Sequence, residues 1–367
     1  MGVPAFQVKE LIDQENIVVC SSNYALYGDL SNRVMRIIGH TMPQQEIYSI
    51  DECFVKVGNN EELEQIGKEV RQKVLRGTGI PISIGFAPTK TLAKITNHVA
   101  KKQEEYGGVF VLNDAQLTRS ILKATPINDV WGIGRHNLQK MIDYNILNAE
   151  ELTRRSTRWI KHNFTSTGLD TYYELKGVER IKLDPTTTMS IRRSRSFSTP
   201  ISDKHELYTI MMEFADIVCT SLQKKGLLAN TIILYLKTDR HNDKQKQYFP
   251  EARIKLDTPT NNLSDLAPVL KALLDRLYKP DCPFKKAGII ATEMENSGSR
   301  LSFYSEERLK EKEIQQLSKL FSEKYGREAL FMAIRDPHIL DGITRHNHKT
   351  QNFTTDIREI LCIKPTR

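Results

Sequence analysis

The sequence has few cysteines and no long apolar run, and each shortage excludes a class of protein. Its 367 residues include 5 cysteines, none in CxxC spacing, which argues against a zinc module and a disulfide framework. No apolar segment reaches the length of a membrane span, and the N-terminus lacks the charged-then-apolar pattern of a signal peptide. Internal repeats and low-complexity stretches are also absent. We therefore expect a cytoplasmic protein with reduced thiols and no membrane partner.

The composition is that of a globular protein with a basic surface. Hydrophobic residues make up 39% and charged residues 27% of the chain. The length suggests about two to four domains. The formal net charge is +8 and the pI is about 9.1, which favours a polyanionic partner without specifying a function. Nucleic acid is the first candidate.

Two adjacent carboxylates, Asp51 and Glu52, interrupt an apolar segment that runs from Ile47 to Phe54. Acids in apolar surroundings are rare unless they are paired or bind a cation, so this pair suggests a metal site. Mg²⁺ fits best, because it is usually held by one or two carboxylates together with water and substrate phosphates.

Strand geometry restricts how the two acids can act together. In one continuous strand their side chains would point to opposite faces and could not share an ion. A β-hairpin with arms near 46–50 and 53–57 would place both acids at or beside the bend. The competing interpretation is an edge strand whose acids face solvent.

Residues 16–112 alternate between strand and helix patterns, which predicts an α/β sheet covered by helices. Besides the hairpin, the predicted strands span residues 16–20, 80–86 and 109–112. In the last helix of this region, Lys90, Lys94, Asn97 and Lys101 share one face and apolar residues share another.

Residues 115–180 have mainly helical patterns and contain the segment Asp129-Val130-Trp131-Gly132-Ile133-Gly134-Arg135. Two glycines let a turn approach a backbone closely, and amides at the start of the following helix, predicted at 136–143, point towards an anion. This pattern is typical of a helix-hairpin-helix. A dinucleotide-binding loop would need a third glycine and a preceding strand. The structural alternative is an ordinary helix turn beside Trp131.

A second, smaller α/β domain follows a polar linker. Its predicted strands are 189–197, 231–238, 253–256 and 287–293, and its predicted helices are 206–222 and 263–277. Arg192, Arg193 and Arg195 make the first strand basic, although their spacing does not place all three on one face. Beyond residue 297 we expect a charged helix near 306–325 and an irregular tail.

These features occur in the order found in one polymerase family. The motifs that carry the resemblance are Ser21-Ser22-Asn23-Tyr24, Tyr48-Ser49-Ile50-Asp51-Glu52, Gly85 with Thr89-Lys90-Thr91-Leu92-Ala93-Lys94, Asn97 to Lys102, Val130 to Arg135, and Ser194-Arg195-Ser196-Phe197. The chain resembles Y-family translesion DNA polymerases, and more closely the UmuC-type catalytic subunit of the bacterial SOS polymerase.

The resemblance implies a domain arrangement. It assigns 1–15 to a remnant of the fingers, 16–112 to a partial palm, 113–180 to the thumb, 181–188 to a linker, 189–296 to a DNA-gripping little finger and 297–367 to a tail. It also implies two-metal phosphoryl transfer with Mg²⁺ in the palm. Asp51 and Glu52 would be the metal ligands, and Lys101 would contact the incoming triphosphate.

Contacts with DNA and proteins are implied in the same way. Gly132, Gly134 and Arg135 of the thumb, with Arg192, Arg193 and Arg195 of the little finger, would bind the backbone of primer–template DNA. Leu301, Phe303 and Tyr304 stand where related chains carry a sliding-clamp peptide, although Arg300 replaces its leading glutamine. A UmuD-type accessory dimer and the RecA filament are the other partners that the resemblance implies.

The chain departs from the family pattern at its start. The family's first palm strand, with an Asp-x-Asn-Ala-Phe-Tyr motif, and most of the fingers have no counterpart in these 367 residues. We therefore expect this polypeptide alone to be inactive or severely impaired. Two competing hypotheses are a non-catalytic DNA- or clamp-binding remnant and a nucleotide cyclase built on a similar palm. A cyclase would need neither the glycine hairpin nor the basic little finger.

Overall fold

The computed structural model describes residues 3–58, 62–184, 190–242, 244–297 and 349–359, together with six isolated positions between 317 and 339. The chain forms two compact units. One comprises Met1–Thr187 with Lys349–Arg367, and the other comprises Thr188–His348. The division falls inside the stretch proposed as a linker, and residues 349–367 group with the first unit.

The first unit consists of helices around two short pairs of strands. Its helices are α1 (Lys9–Gln14), α2 (Tyr24–Thr41), α3 (Leu63–Thr78), α4 (Lys90–Lys102), α5 (Ala115–Ala124), α6 (Arg135–Asp143), α7 (Ala149–Thr153), α8 (Thr157–Asn163) and α9 (Ser166–Leu175). Its strands are β1 (Gln45–Ile47), β2 (Cys53–Val55), β3 (Ile84–Phe86) and β4 (Val109–Val111). β1 and β2 are antiparallel, whereas β3 and β4 are parallel. In the described residues the predicted single sheet is therefore replaced by two separate pairs.

Helix α4 is fixed in place by its apolar face. Leu92 and Ile95 are at most 5% exposed and belong to a core that includes Met141 of α6. On the strand side, β3 crosses the helix closely at Gly85, where a Cβ atom would lie 2.2 Å from the backbone nitrogen of Asn97. Only glycine allows this approach. The lysine face of α4 is consequently left outside the core.

Residues 16–20, predicted as a strand, do not form one. Ile17, Val18 and Val19 are 46%, 84% and 52% exposed, and the described residues provide only an isolated parallel bridge between Ser21 and Lys349. Apolar β-branched residues favour a strand through packing against neighbouring strands. Without a neighbouring strand to pair with, the apolar pattern of residues 16–20 is not enough to form a strand.

The second unit is an antiparallel sheet covered on one face by two helices. Its strands are β5 (Ser190–Ile201), β6 (Leu227–Lys237), β7 (Glu251–Thr260) and β8 (Phe284–Asn296), in the order β5-β8-β6-β7, and its helices are α10 (Lys204–Lys224) and α11 (Leu263–Leu277). Alternate residues such as Leu234, Leu236, Ala287 and Ile289 are fully buried beneath the helices. The predicted mixed α/β (α+β) fold class is confirmed, and the strands are longer than predicted.

The described cysteines, Cys20, Cys53, Cys219 and Cys282, are free thiols, in agreement with their irregular spacing. In the part of the chain that the structure describes, every helix is too short or too polar to span a lipid bilayer.

Candidate active site

The acidic pair lies in the turn of a β-hairpin. β1 and β2 place Ile47 opposite Cys53, and the amide of Ser49 donates to the carbonyl oxygen of Glu52 at 3.0 Å. Asp51 is exposed, and its Oδ1 accepts a hydrogen bond of 2.6 Å from the Ser49 hydroxyl. The hairpin prediction is confirmed, with arms shorter than predicted, and the acids do not lie in a continuous strand. The exposure of Asp51 agrees with the solvent-facing acids of the competing interpretation. Both acids therefore project from one short turn.

Two lysines of α4 face this hairpin. Lys94 Nζ forms a salt bridge with Glu52 Oε1, and the two side chains are 25% and 38% exposed. One turn earlier, Lys90 Nζ lies 2.5 Å from Glu46 Oε2 in a pair that is only 10% and 14% exposed. Lys90 also lies 5.0 Å from the centroid of the Phe54 ring. Residues four apart share a helix face, so the first part of the predicted lysine face is directed at the hairpin: Lys94 contacts Glu52 of the acidic pair, and Lys90 contacts Glu46 of the β1 arm.

The start of α4 is held by Glu174, a buried carboxylate that no local pattern marked. Its Oε2 accepts the amide of Thr91 at 3.1 Å, and its Oε1 accepts the amides of Arg180 and Ile181 at 2.7 and 3.0 Å. Its carbonyl oxygen accepts the hydroxyl of Thr89 at 2.8 Å. A carboxylate is favourable at a helix N-terminus. Thr91 is 83 residues away in sequence, which explains why sequence patterns could not find this contact.

Lys101 lies farther along the same helix and is not brought to the acids. It is exposed and follows Lys94 by seven positions, which corresponds to about 10 Å along the helix axis. Among the described residues, the salt bridges between α4 and the hairpin are those of Lys90 and Lys94.

Trp131 joins the glycine segment to the hairpin. Its ring centroid lies 5.6 Å from those of Tyr48 and Phe54, and its indole N–H donates to the Tyr48 hydroxyl at 3.2 Å. The next residue, Gly132, has a φ of 93°, and a Cβ atom there would lie 2.4 Å from Thr171 Oγ1. This position requires glycine for both reasons.

Gly134 and Arg135 lie at the start of α6. Gly134 is the N-cap residue, and a Cβ atom there would meet nothing within 4 Å, so packing does not require glycine. Arg135 is the first helical residue, one position earlier than predicted, and both residues are exposed. A 3-10 turn at Ile127–Asp129, rather than an α-helix, leads into the glycine segment.

The three arginines of β5 lie on two faces of the sheet. Arg193 and Arg195 stand opposite Ile289 and Ala287, which belong to the core beneath the helices, so they lie on the helix-covered side of this edge strand. Arg192 is exposed on the other face. The imperfect alternation of the sequence is thus confirmed, and the structure does not bring all three arginines together.

Similarity to known proteins covers most of the chain and both units. The models of the impB/mucB/samB family and of its C-terminal domain match residues 1–98 and 188–302. Protein UmuC of Salmonella typhimurium is 33% identical over 303 residues, which cover 81% of this chain and 72% of that protein. This chain belongs to the impB/mucB/samB family. It is a Y-family DNA polymerase of the UmuC type.

More distant relatives and solved structures agree with this family. DNA polymerase IV of Ureaplasma parvum serovar 3 is 27% identical over 291 residues, which cover 76% of each chain. A structure of the Y-family DNA polymerase chimera of Dbh and Dpo4 has a TM-score of 0.64 at 17% identity, with 80% of this chain and 82% of that chain covered. The insertion ternary complex of Dbh DNA polymerase has a TM-score of 0.54. The fold is that of Y-family polymerases.

Y-family polymerases use divalent metals, and the hairpin of this family member fits one such ion. Asp51 and Glu52 project from a single turn, and Mg²⁺ is commonly held by one or two carboxylates completed by water and phosphates. Among the residues described, no group of three or more His, Cys, Asp and Glu side chains is placed to hold an ion. The pair therefore suits one cation, whose remaining positions would fall to water or substrate.

The polymerase also carries cations on the open face of its second-unit sheet that no sequence motif singled out. These are Lys237, Arg253, Lys255 and Lys286. One row crosses all four strands from Arg192 through Ile290 and Ile233 to Arg253. Arg253 and Lys255 alternate with the inward-facing Ile254, and this period of two is the signal that could have identified them.

Glu293 in the second unit and Cys53 in the hairpin are among the described side chains whose pKa values are shifted. The hydrogen bond from the Thr231 hydroxyl, at 2.6 Å, and the nearby Arg253 hold the pKa of Glu293 below its usual range. Burial raises the pKa of the Cys53 thiol, and a hydrogen bond with Gln45 opposes this shift. Glu293 therefore stays anionic beside Arg253, and Cys53 stays a neutral thiol in the hairpin.

The clamp-peptide residues Leu301, Phe303 and Tyr304 lie outside the described residues, as does most of the helix predicted at 306–325. Their role in the polymerase stays a prediction.

Proposed function

We propose that this chain performs template-directed nucleotidyl transfer in error-prone translesion synthesis, acting on damaged primer–template DNA in the bacterial SOS response and in the cytoplasm. The observation that carries the proposal is the exposed turn with Asp51 and Glu52, which faces the lysines of α4. The SOS role follows from the UmuC-type resemblance.

The residues of the turn and of α4 have separate roles in this proposal. Asp51 and Glu52 would hold Mg²⁺, and a complete site of this family is expected to take two ions. When bound, the ions stabilise charge on the attacking 3′-hydroxyl and the leaving pyrophosphate. Lys101 binds the triphosphate, for which a compact ammonium is suited as a point charge.

Both units contribute to DNA binding in this proposal. Gly132 and Gly134 present backbone amides at the start of α6, where anions are favoured, and Arg135 adds a charge beside them. Arg192 contacts the DNA backbone from the open face of the sheet, and Arg193 and Arg195 contact it from the other side of the edge strand β5. Phosphate contacts of this kind position DNA without reading its sequence.

The proposed protein partners are a UmuD-type accessory dimer, the RecA filament and a sliding clamp. The first two rest on the family resemblance. For the clamp, Leu301 and the pair Phe303 and Tyr304 are the residues proposed to fill an apolar pocket.

We further propose that residues 1–367 alone are inactive or severely impaired in primer extension. The hairpin presents two carboxylates, which suit one ion, and a two-metal site needs further ligands. The specific alternative favoured by the same observation is a non-catalytic chain that binds DNA or the clamp and competes with other polymerases.

Primer extension with purified residues 1–367 and Mg²⁺ tests these proposals. Asp51→Asn with Glu52→Gln should abolish any extension that the unmodified chain shows and leave DNA affinity unchanged. Glu104→Gln with Glu105→Gln is the matched control, because it removes an exposed pair of adjacent acids elsewhere in the same unit.

Three outcomes test the proposed metal site, the proposed impairment and the non-catalytic alternative. Extension that survives the substitution at Asp51 and Glu52 would refute the site. Efficient extension by the unmodified chain would refute the impairment. DNA binding without any extension would favour the non-catalytic alternative.

A further inference from the structure

We infer that Lys94 is an exchangeable counter-ion that competes with divalent cations for Glu52 and so sets their affinity for the hairpin. The inference rests on the proposed metal-binding role of Asp51 and Glu52, and it adds a positioning residue to that site. The ammonium of Lys94 occupies the Oε1 atom of Glu52, which a cation would need.

The two lysine–glutamate pairs of α4 differ in how firmly they are held. Lys90 and Glu46 are nearly buried, and each has a second partner: Lys90 donates to the carbonyl of Lys182 at 2.9 Å, and Glu46 accepts the amide of Asp184 at 2.6 Å. Opening this pair would leave two nearly buried charges without a counter-charge, which is costly. It is a structural contact.

In the salt bridge between Lys94 and Glu52, a metal cation can replace the lysine ammonium more easily. Both side chains remain partly exposed, and within the described residues neither makes another side-chain hydrogen bond or ion pair. Exposed ion pairs contribute little stability, because water can replace either partner at low cost. A divalent ion carries twice the charge of the ammonium and can bind the same oxygen.

The charges in the turn predict whether removal of Lys94 raises or lowers the affinity for a divalent cation. With Lys94 in place, the turn presents one uncompensated carboxylate, Asp51, and one compensated carboxylate, Glu52. Removal of the ammonium leaves two free carboxylates in the same turn. The affinity for a divalent cation should then rise, whereas loss of a merely structural anchor would lower it or leave it unchanged.

Mn²⁺ binding, measured from the electron paramagnetic resonance signal of the free ion, tests the inference without any need for polymerase activity. Lys94→Met should bind Mn²⁺ about fivefold more tightly than the unmodified chain, the effect of removing one partly exposed competing pair. Lys94→Arg should restore the original affinity, because arginine keeps the charge.

Lys102→Met is the matched control. Lys102 is exposed on the last turn of α4, so its replacement changes the net charge equally and should alter Mn²⁺ affinity by less than about twofold. Trp131 fluorescence without metal should be the same in all variants if the turn is intact, because its indole is hydrogen-bonded to Tyr48.

The outcomes separate this inference from the proposed function. If Lys94→Met binds Mn²⁺ no more tightly than Lys102→Met, the inference is wrong. Tighter Mn²⁺ binding in a chain that never extends a primer would support the inference and favour the non-catalytic alternative to the proposed function. If neither the unmodified chain nor Lys94→Met binds Mn²⁺ in a way that depends on Asp51 and Glu52, both are refuted.

Discussion

Replacement of Glu174 by alanine should destabilise the first unit strongly. The Thr91 amide is in a fully buried residue, and loss of its acceptor should cost about 2 kcal/mol. The amides of Arg180 and Ile181 belong to more exposed residues and should add about 1 kcal/mol each, because water can partly replace the carboxylate. The sum, about 4 kcal/mol, corresponds to a fall in Tm of roughly 8–16 °C for a unit of this size.

Tryptophan fluorescence during heating is the suitable assay. Both tryptophans, Trp131 and Trp159, lie in the first unit, so the signal reports the unfolding of that unit alone. Glu179→Ala is the control, because Glu179 is half exposed and lies 3.7 Å from Lys56, and such pairs contribute at most about 1 kcal/mol. Equal Tm values for the two variants would refute the anchoring role of Glu174.

Three further predictions follow from single sites. Gly132→Ala should destabilise the first unit by about 1–3 kcal/mol, measured by the same fluorescence assay, because of its positive φ and the approach of Thr171. Arg192→Ala should reduce the slope of log affinity for duplex DNA against log salt by about 0.9, if this exposed arginine contacts one phosphate, as fluorescence anisotropy titrations can show. The alkylation rate of Cys53, measured by peptide mass spectrometry, should be lower than that of the exposed Cys20. The rate should also keep rising to a higher pH than that of an ordinary thiol, because burial raises the pKa of Cys53.

The hairpin could be predicted because its chemistry is local. Two acids that alternate in a strand cannot act together, so their adjacency in an apolar segment already favoured a bend, and the structure places them there. The lysine face of α4 followed from helical spacing in the same way. What spacing could not provide was the partner of each lysine, because Lys94 and Glu52 are 42 residues apart.

The failures of sequence prediction have a common physical cause. Residues 16–20 have the amino-acid types typical of a strand, but no neighbouring strand pairs with them in the described structure. Glu174 is of a type usually found at the surface, but its carboxylate accepts hydrogen bonds from three backbone amides. In both cases the conformation depends on long-range pairing, which local propensity does not contain. The cations on the open face of β7 could have been predicted, because they recur at every second position of the strand and this spacing is visible in the sequence once the strand limits are known.

The acidic turn is held by groups outside the acids, which explains how exposed carboxylates keep a defined position. Tyr48, at one end of the turn, accepts a hydrogen bond from Trp131, and Phe54, just beyond the other end, packs against the same indole. Trp131 is in turn fixed by the conformation of Gly132, whose Cα packs against Thr171. The glycine segment proposed to bind DNA phosphates and the turn proposed to hold Mg²⁺ are therefore parts of one packed cluster. A shift of either one would change the contacts of the Trp131 indole, which lies between them.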